Sequence, residues 1–192
     1  VITGGRDAIA RLWRVADASP RATLLSRIGP VSAVAWAPRG SHAAIGTESG
    51  VLVVQDVQRN RTVATLRGHH GAIATATFFD DGRRLLTLGD DHTIRIWTID
   101  TGASIVLGDG ERIWSVRLSP NERLAAAARE DGSVILYDVE RGSIAARLTG
   151  HAADVYAVAF SPSGAQLVTA GADATAIVWD VAARRRVLTL KA

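Results

Sequence analysis

Two stretches of this chain carry the residue types of a nucleophilic catalyst. In "GHAADVYAVAFSPSGAQLVTAGADATAIVWD", His151 is followed by Thr169, Asp173 and Trp179; in "GHHGAIATATFFDDGRRLLTLGDDHTIRIWT", His69 is followed by Thr87, Asp91 and Trp97. A hydroxyl, an imidazole and a carboxylate can form a relay in which the histidine takes the hydroxyl proton and the carboxylate orients the ring. The spacing points elsewhere. In both stretches the histidine precedes the tryptophan by 28 residues and the aspartate precedes it by 6. A catalytic site has no reason to occur twice in one chain with the same internal spacing, whereas a structural hydrogen-bond set does.

The elements that would hold these residues repeat along the whole chain. Self-alignment pairs "VITGGRDAIARLWR" from residue 1, "AAIGTESGVLVVQD" from 43, "LLTLGDDHTIRIWT" from 85, "AAAAREDGSVILYD" from 125 and "LVTAGADATAIVWD" from 167. The anchors Trp13, Gln55, Trp97, Tyr137 and Trp179 are separated by 42, 42, 40 and 42 residues. A period of about 40 to 45 residues is that of a four-stranded propeller blade. Each unit resolves into short strands cut by turn residues; in the last, "VYAVAFSP" stops at Pro162 and Gly164 opens the turn into "QLVTAG". The alanine-rich "LAAAARED" is the one stretch that tempts a helical reading, and its place in the repeat makes it a strand.

On these motifs the chain resembles the WD-repeat β-propeller family over essentially all 192 residues. The Gly-His opening and Trp-Asp close of residues 150–180 are a nearly complete unit, and residues 68–98 follow, with Thr98 in place of the final aspartate. The resemblance implies an all-β fold of four-stranded antiparallel blades, about 4.75 repeats, expected to be part of a larger propeller. Blades fall near residues 1–26 (partial), 27–67, 68–108, 109–149 and 150–192. It also implies that His69, Thr87, Asp91 and Trp97, and likewise His151, Thr169, Asp173 and Trp179, form structural tetrads running from aspartate through histidine and threonine to the indole. The first blade keeps a partial set, Thr3, Asp7 and Trp13. The second, with Arg27, Ile45, Ser49 and Gln55, keeps none and is expected to be the most mobile. The fourth has Asp109, Ala127, Asp131 and Tyr137.

Composition bounds the remaining possibilities. A chain 47% hydrophobic and 21% charged is that of a globular domain with a sizeable core. With no cysteine there are no disulfides, thiolate metal sites or cysteine nucleophile. No apolar run approaches the roughly 20 residues of a membrane span, and the Arg6- and Arg11-bearing start is not a signal peptide. A cytoplasmic protein is expected, without membrane contact. Among the 22 cationic residues only Lys191 is lysine. That arginine and alanine usage suggests GC-rich bacterial coding, and with a net charge of +3 nucleic acid is disfavoured as a partner. His69, His70 and His92 are too irregular for a metal site, and neither metal nor cofactor is expected. The chain starts with Val inside a strand, and its first unit lacks an innermost strand. Further blades or another chain are therefore expected to complete the ring.

The resemblance places the tetrad aspartates on one face, together with the loops entering each inner strand. On that face ten acidic residues, among them Asp109, Glu111, Glu130, Asp131 and Asp154, stand against Arg6, Arg27, Arg67, Arg112 and Arg129. The opposite face is arginine-rich and densest at Arg184, Arg185 and Arg186, a candidate for phosphate or nucleic acid. The resemblance further implies that residues flanking the first aliphatic position of each inner strand line the channel rim where partners dock. In two consecutive blades these are Arg112 and Trp114, then Asp154 and Tyr156, types that dominate binding hot spots. The expected function is a non-catalytic protein–protein interaction scaffold or sensor module, part of a larger regulatory protein, with signalling the implied context. A hydrolase would need acids at the channel mouth, where Asp109, Glu111 and Asp154 are the cluster to test.

Overall fold

The computed structural model describes residues 1–25, 29–38, 40–108 and 110–191, and all of its regular elements are strands. Arg27, Asp109 and Ala192, which enter the readings above, lie outside the described residues. The chain separates into two compact units, Val1–Val106 and a second that begins at Leu107.

In the first unit, β1 (Ile2–Gly4), β2 (Ile9–Trp13) and β3 (Pro20–Leu25) form a three-stranded sheet. Next come the sheet β4 (Val31–Trp36), β5 (His42–Thr47), β6 (Leu52–Asp56), β7 (Arg61–Leu66) and the sheet β8 (Ile73–Phe78), β9 (Arg84–Gly89), β10 (Ile94–Thr98), β11 (Ser104–Leu107), the last residue of which is the first of the second unit. The second unit has the sheets β12 (Ile113–Leu118), β13 (Leu124–Arg129), β14 (Ser133–Asp138), β15 (Ser143–Thr149) and β16 (Val155–Phe160), β17 (Gln166–Gly171), β18 (Thr175–Asp180), β19 (Arg185–Lys191). Every sheet is a meander of antiparallel neighbours in chain order, so two-residue turns and short loops suffice as connections. "LAAAARED" is the strand β13, with Ala125 through Arg129 buried.

The turn between the second and third strands explains much of the local sequence. Ala8, His92 and Ala174, each following an aspartate, sit at φ 61°, 62° and 59°, and glycine takes the same place at 50 and 132. Left-handed backbone at this point matches the twist of a tight hairpin and costs a side-chain-bearing residue energy that glycine avoids. At Gly50 space demands it too, because a Cβ would lie 2.5 Å from the His69 carbonyl oxygen.

Sheets stack through apolar faces within each unit. Leu52, Val54 and Leu66 of the second sheet meet Leu85, Trp97 and Ile99 of the third sheet's chain segment. Ala126, Ala128, Val134 and Leu136 meet Leu167, Ile177 and Trp179. Strands covered on both faces lose the polar–apolar alternation of a half-buried strand, which is why β5, β6 and β13 read as continuous apolar runs. The second sheet, without any tetrad, therefore packs its two middle strands by aliphatic burial.

Each inner strand carries a β-bulge just after its first residue. The pairing of β4, β8, β12 and β16 with the next strand shifts between Val31 and Ala33, Ile73 and Thr75, Ile113 and Ser115, and Val155 and Ala157. Ser32, Ala74, Trp114 and Tyr156 are the extra residues, and all four are exposed while the residue before each is buried. A bulge leaves one residue outside the ladder and re-aims its side chain.

Candidate functional site

In the third sheet the structure brings His69, Thr87, Asp91 and Trp97 into one chain of hydrogen bonds. Trp97 Nε1–H donates to Thr87 Oγ1 at 2.8 Å, Thr87 Oγ1 and His69 Nε2 are 2.7 Å apart, and His69 Nδ1 is 3.0 Å from both Asp91 oxygens. The fifth sheet repeats this with Trp179 to Thr169 at 2.9 Å, Thr169 to His151 at 2.8 Å and His151 to Asp173 at 3.0 Å. A neutral imidazole fits the order: Nδ1–H donates to the carboxylate, and Nε2 accepts the threonine hydroxyl, which itself accepts from the indole. Thr87 is 0% and Thr169 1% exposed, and each hydroxyl is engaged by both indole and imidazole. Neither oxygen has an open side from which to attack a substrate.

Three contributors escape a reading of the tetrad positions alone. Thr93 and Thr175 donate hydroxyl protons to Asp91 and Asp173 at 2.8 Å, and the His70 and Ala152 N–H groups donate to the same carboxylates at 2.9 Å. Gly89 and Gly171 leave room for the imidazoles: a Cβ at Gly89 would collide with His69 Nδ1, and one at Gly171 would stand 2.7 Å from His151 Nδ1. The threonines were legible as Asp-x-Thr in both repeats, and the glycines as "TLG" and "TAG".

Burial would raise the Asp91 carboxyl, but the His70 N–H, the Thr93 hydroxyl and His69 outweigh it and hold the group at about 2. The Ala152 N–H is the main cause that holds Asp173 well below the carboxylate range, with Thr175 and His151 adding to it. Burial lowers the His69 imidazole, a shift that the Asp91 carboxylate only partly offsets. Both members of the His69–Asp91 pair are thus depressed relative to the unfolded chain. For a depressed group the unfolded state binds the proton first, so stability is present above the unfolded value and lost as pH falls. The melting temperature is expected to drop as pH passes below about 6.5, where unfolded histidine charges, and again below about 4 as unfolded aspartate protonates. Thermal melts between neutral and acidic pH, on wild type and His69→Gln, check this; the first drop should shrink in the variant. A wild-type midpoint that is flat across that window contradicts it.

The other sheets depart from the pattern in different ways. In the first, Trp13 Nε1–H donates to Thr3 Oγ1 at 2.8 Å, and Asp7 accepts from the Ile9 N–H and pairs with Arg11 at 2.7 Å. In the second, the Thr47 and Ser49 hydroxyls are 3.0 Å apart. The fourth sheet corrects the surface-charge reading. Arg129, counted above among exposed cations, is 0% exposed, with Nη2 3.7 Å from Asp131 Oδ2. Asp131 also takes Arg147 at 3.0 Å and the Ser133 hydroxyl. Position 129 aligns with Gly89 and Gly171, so a long cationic side chain stands where the other two sheets leave room for an imidazole.

In the second unit the structure also brings Arg112, Trp114, Asp154 and Tyr156 together. Trp114 and Tyr156 meet edge to face with centroids 5.6 Å apart, and Arg112 Cζ lies 4.2 Å above the Trp114 ring. Trp114 Nε1–H donates to Asp154 Oδ2 at 3.2 Å. The N–H groups of Glu130 and Ala172 donate to the carbonyls of Arg112 and Asp154, which ties the starts of β12 and β16 to the adjacent hairpin turns. Both rings, 37% and 52% exposed, stand on bulges. In the acidic trio considered for hydrolysis, Asp154 is thus bound to an indole and Asp109 lies outside the described residues. Among the described residues no group of three His, Asp or Glu side chains is arranged to hold a metal ion, and no helix is long and apolar enough to cross a membrane.

Four-stranded antiparallel meanders with this inner-strand bulge and buried Trp–Thr–His–Asp chain are blades of the β-propeller class. Residues 60–98, 104–138 and 142–180 match the family model of the WD domain, G-beta repeat, and the chain belongs to that WD40 family. It is 29% identical over 180 residues to Protein FIZZY-RELATED 1 of Arabidopsis thaliana, covering 89% of this chain and 36% of that protein. Transducin-like enhancer protein 2 of Mus musculus is 28% identical over 182 residues, which cover 93% and 24%. Transcription factor unc-37 of Caenorhabditis elegans is 29% identical over 117 residues, which cover 60% and 19%. The chain spans well under half the length of these curated relatives.

Proposed function

We propose that this chain is a non-catalytic interaction scaffold within a larger regulatory protein, and that its partner-binding surface is the Arg112–Trp114–Asp154–Tyr156 cluster. The observation that carries the reading is two large aromatic rings held in the open by β-bulges, one pinned by a carboxylate and covered by a guanidinium. Exposing two such rings is costly in water, and Trp, Tyr and Arg concentrate binding energy at interfaces. The two His–Thr–Asp–Trp sets act in this reading as internal rivets, since their hydroxyls are buried and occupied. The names of two relatives, Transcription factor unc-37 and Transducin-like enhancer protein 2, refer to no reaction.

The same reading includes a covering for the outer face of the fifth sheet. Val168 pairs with Val178 and that with Leu188, while Ala176 pairs with Leu190, so an apolar row crosses three strands; Val168, Leu188 and Leu190 stand 40% to 51% exposed. The matching row of the second sheet, Ala44, Leu52, Val54 and Leu66, lies under the tryptophan face of the third. A further blade or another chain with such a face is its natural cover.

Panning a displayed library of random peptides on the immobilised chain tests the binding surface. Peptides that hold to wild type should be lost by about tenfold or more on Trp114→Ala, the effect of removing an aromatic hot spot. The melting midpoint should stay in place. A variant that lowers the midpoint while retaining the peptides would assign Trp114 to packing instead.

A further inference from the structure

We infer that the ligand of the Trp114–Tyr156 surface is a basic peptide segment, one that places an arginine or lysine side chain against the Tyr156 ring and the Asp154 carboxylate. This rests on the preceding assignment of the surface and adds the chemistry of what it takes. Glu111 and Glu130 are exposed beside Arg112, the first as its chain neighbour and the second through a backbone hydrogen bond to its carbonyl. Among the described residues, neither glutamate nor Asp154 pairs with a cation. Of the neighbouring acids, Asp131 is already paired with Arg147 and Arg129, and Asp173 is tied into its tetrad by hydrogen bonds from His151, Thr175 and the Ala152 N–H. Three open carboxylates against the single Arg112 leave the rim of the aromatic pair negative, a field that draws cations and repels acidic segments.

The aromatic geometry points the same way. Arg112 Cζ lies over the Trp114 ring, so this surface already holds a guanidinium on an indole face, while among the described residues no cation lies over the half-exposed Tyr156 ring. A ring face next to a carboxylate attracts a cation by quadrupole and charge together. Asp154 can serve both sides, because its Oδ2 accepts from Trp114 and its remaining lone pairs are free for a guanidinium or ammonium. Arg112 has a second role in this arrangement: it stiffens Trp114 and sets how close a second cation can approach, which directs the ligand to Tyr156.

Four pools of 12-residue peptides, with arginine, lysine, alanine or glutamate fixed at the centre and the flanks randomised, provide the probe for the whole chain. The arginine and lysine pools should bind about tenfold more tightly than the alanine pool, the size of one cation–π contact backed by a charge pair, and the glutamate pool most weakly. Asp154→Asn and Tyr156→Ala should each remove most of that advantage at an unchanged melting midpoint, and added salt should reduce it. Equal binding of the arginine and alanine pools overturns the inference. So does preference for the glutamate pool with loss on Arg112→Ala; in that case the surface assignment survives and only the sign of its ligand is wrong. Four pools that bind alike, and that bind the Trp114, Asp154 and Tyr156 variants as well as wild type, would bring down both.

Discussion

Trp97→Ala is expected to destabilise the chain by about 3 to 5 kcal/mol, the usual cost of deleting a buried tryptophan side chain. In a chain of 192 residues that corresponds to a fall of roughly 6 to 20 °C in melting temperature. Two separate losses combine. Trp97 is 1% exposed and packs among Leu52, Val54, Leu66 and Leu85, so its removal opens a cavity between the second and third sheets that rigid strands can close only in part. The Thr87 hydroxyl also loses the indole N–H that it accepts at 2.8 Å. Trp97→Phe narrows the comparison, since it keeps a six-membered ring in the site and loses the donor with the remainder of the indole; about 1 to 2 kcal/mol is expected for it. In the fourth sheet Tyr137 stands at the tryptophan position and Ala127 at the threonine position, so the acceptor hydroxyl is absent there. Thermal melts of the two variants decide the matter. If Ala costs no more than Phe, the packing contribution claimed for the indole is wrong.

The second large effect is expected at a residue whose charge suggests the surface. Arg129→Ala should cost about 3 kcal/mol or more, because it empties a fully buried site and removes a cation from beside Asp131. Arg147, which approaches the same carboxylate at 3.0 Å with 45% of its side chain exposed, should cost no more than about 1 kcal/mol as alanine. The shorter distance belongs to the weaker contributor, since water and salt screen Arg147 and not Arg129. Arg129→Met tests the division further: it refills the volume without the charge, and whatever stability it returns measures packing. Equal midpoints for the Arg129→Ala and Arg147→Ala variants would show that Arg129 fills no essential space.

Arg129 also marks where reading the chain as a string reaches its limit. Aligned on the repeat, it occupies the place of Gly89 and Gly171, and by residue type alone it is a cation at a turn, expected in solvent. What decides otherwise is the volume left at that point of the fourth sheet, set by the faces of neighbouring strands. Position 129 has a long stem to fill it, whereas positions 89 and 171 must stay bare for an imbalance of another kind, the imidazole itself. Burial of a charged side chain is a property of its surroundings and has no local signature.

By itself the sequence determined the repeat and the strand order, and its resemblance to the WD-repeat family implied the membership of the two tetrads. Those depend on turn residues, on the anchors Trp13, Gln55, Trp97, Tyr137 and Trp179 at steps of 42 and 40 residues, and on fixed offsets such as 28 from histidine to tryptophan, all of which are local and repeated. It also named Arg112, Trp114, Asp154 and Tyr156 as a group, because their blades are consecutive and their positions equivalent. Tertiary structure alone decided what those four do to one another: the bulges after Ile113 and Val155 turn both rings out of the ladder, and strand-to-strand packing brings residues 40 apart into an indole–carboxylate hydrogen bond. A bulge arises from the pairing of two strands, and burial from the sheet laid over them. Neither is written in the residues of one strand.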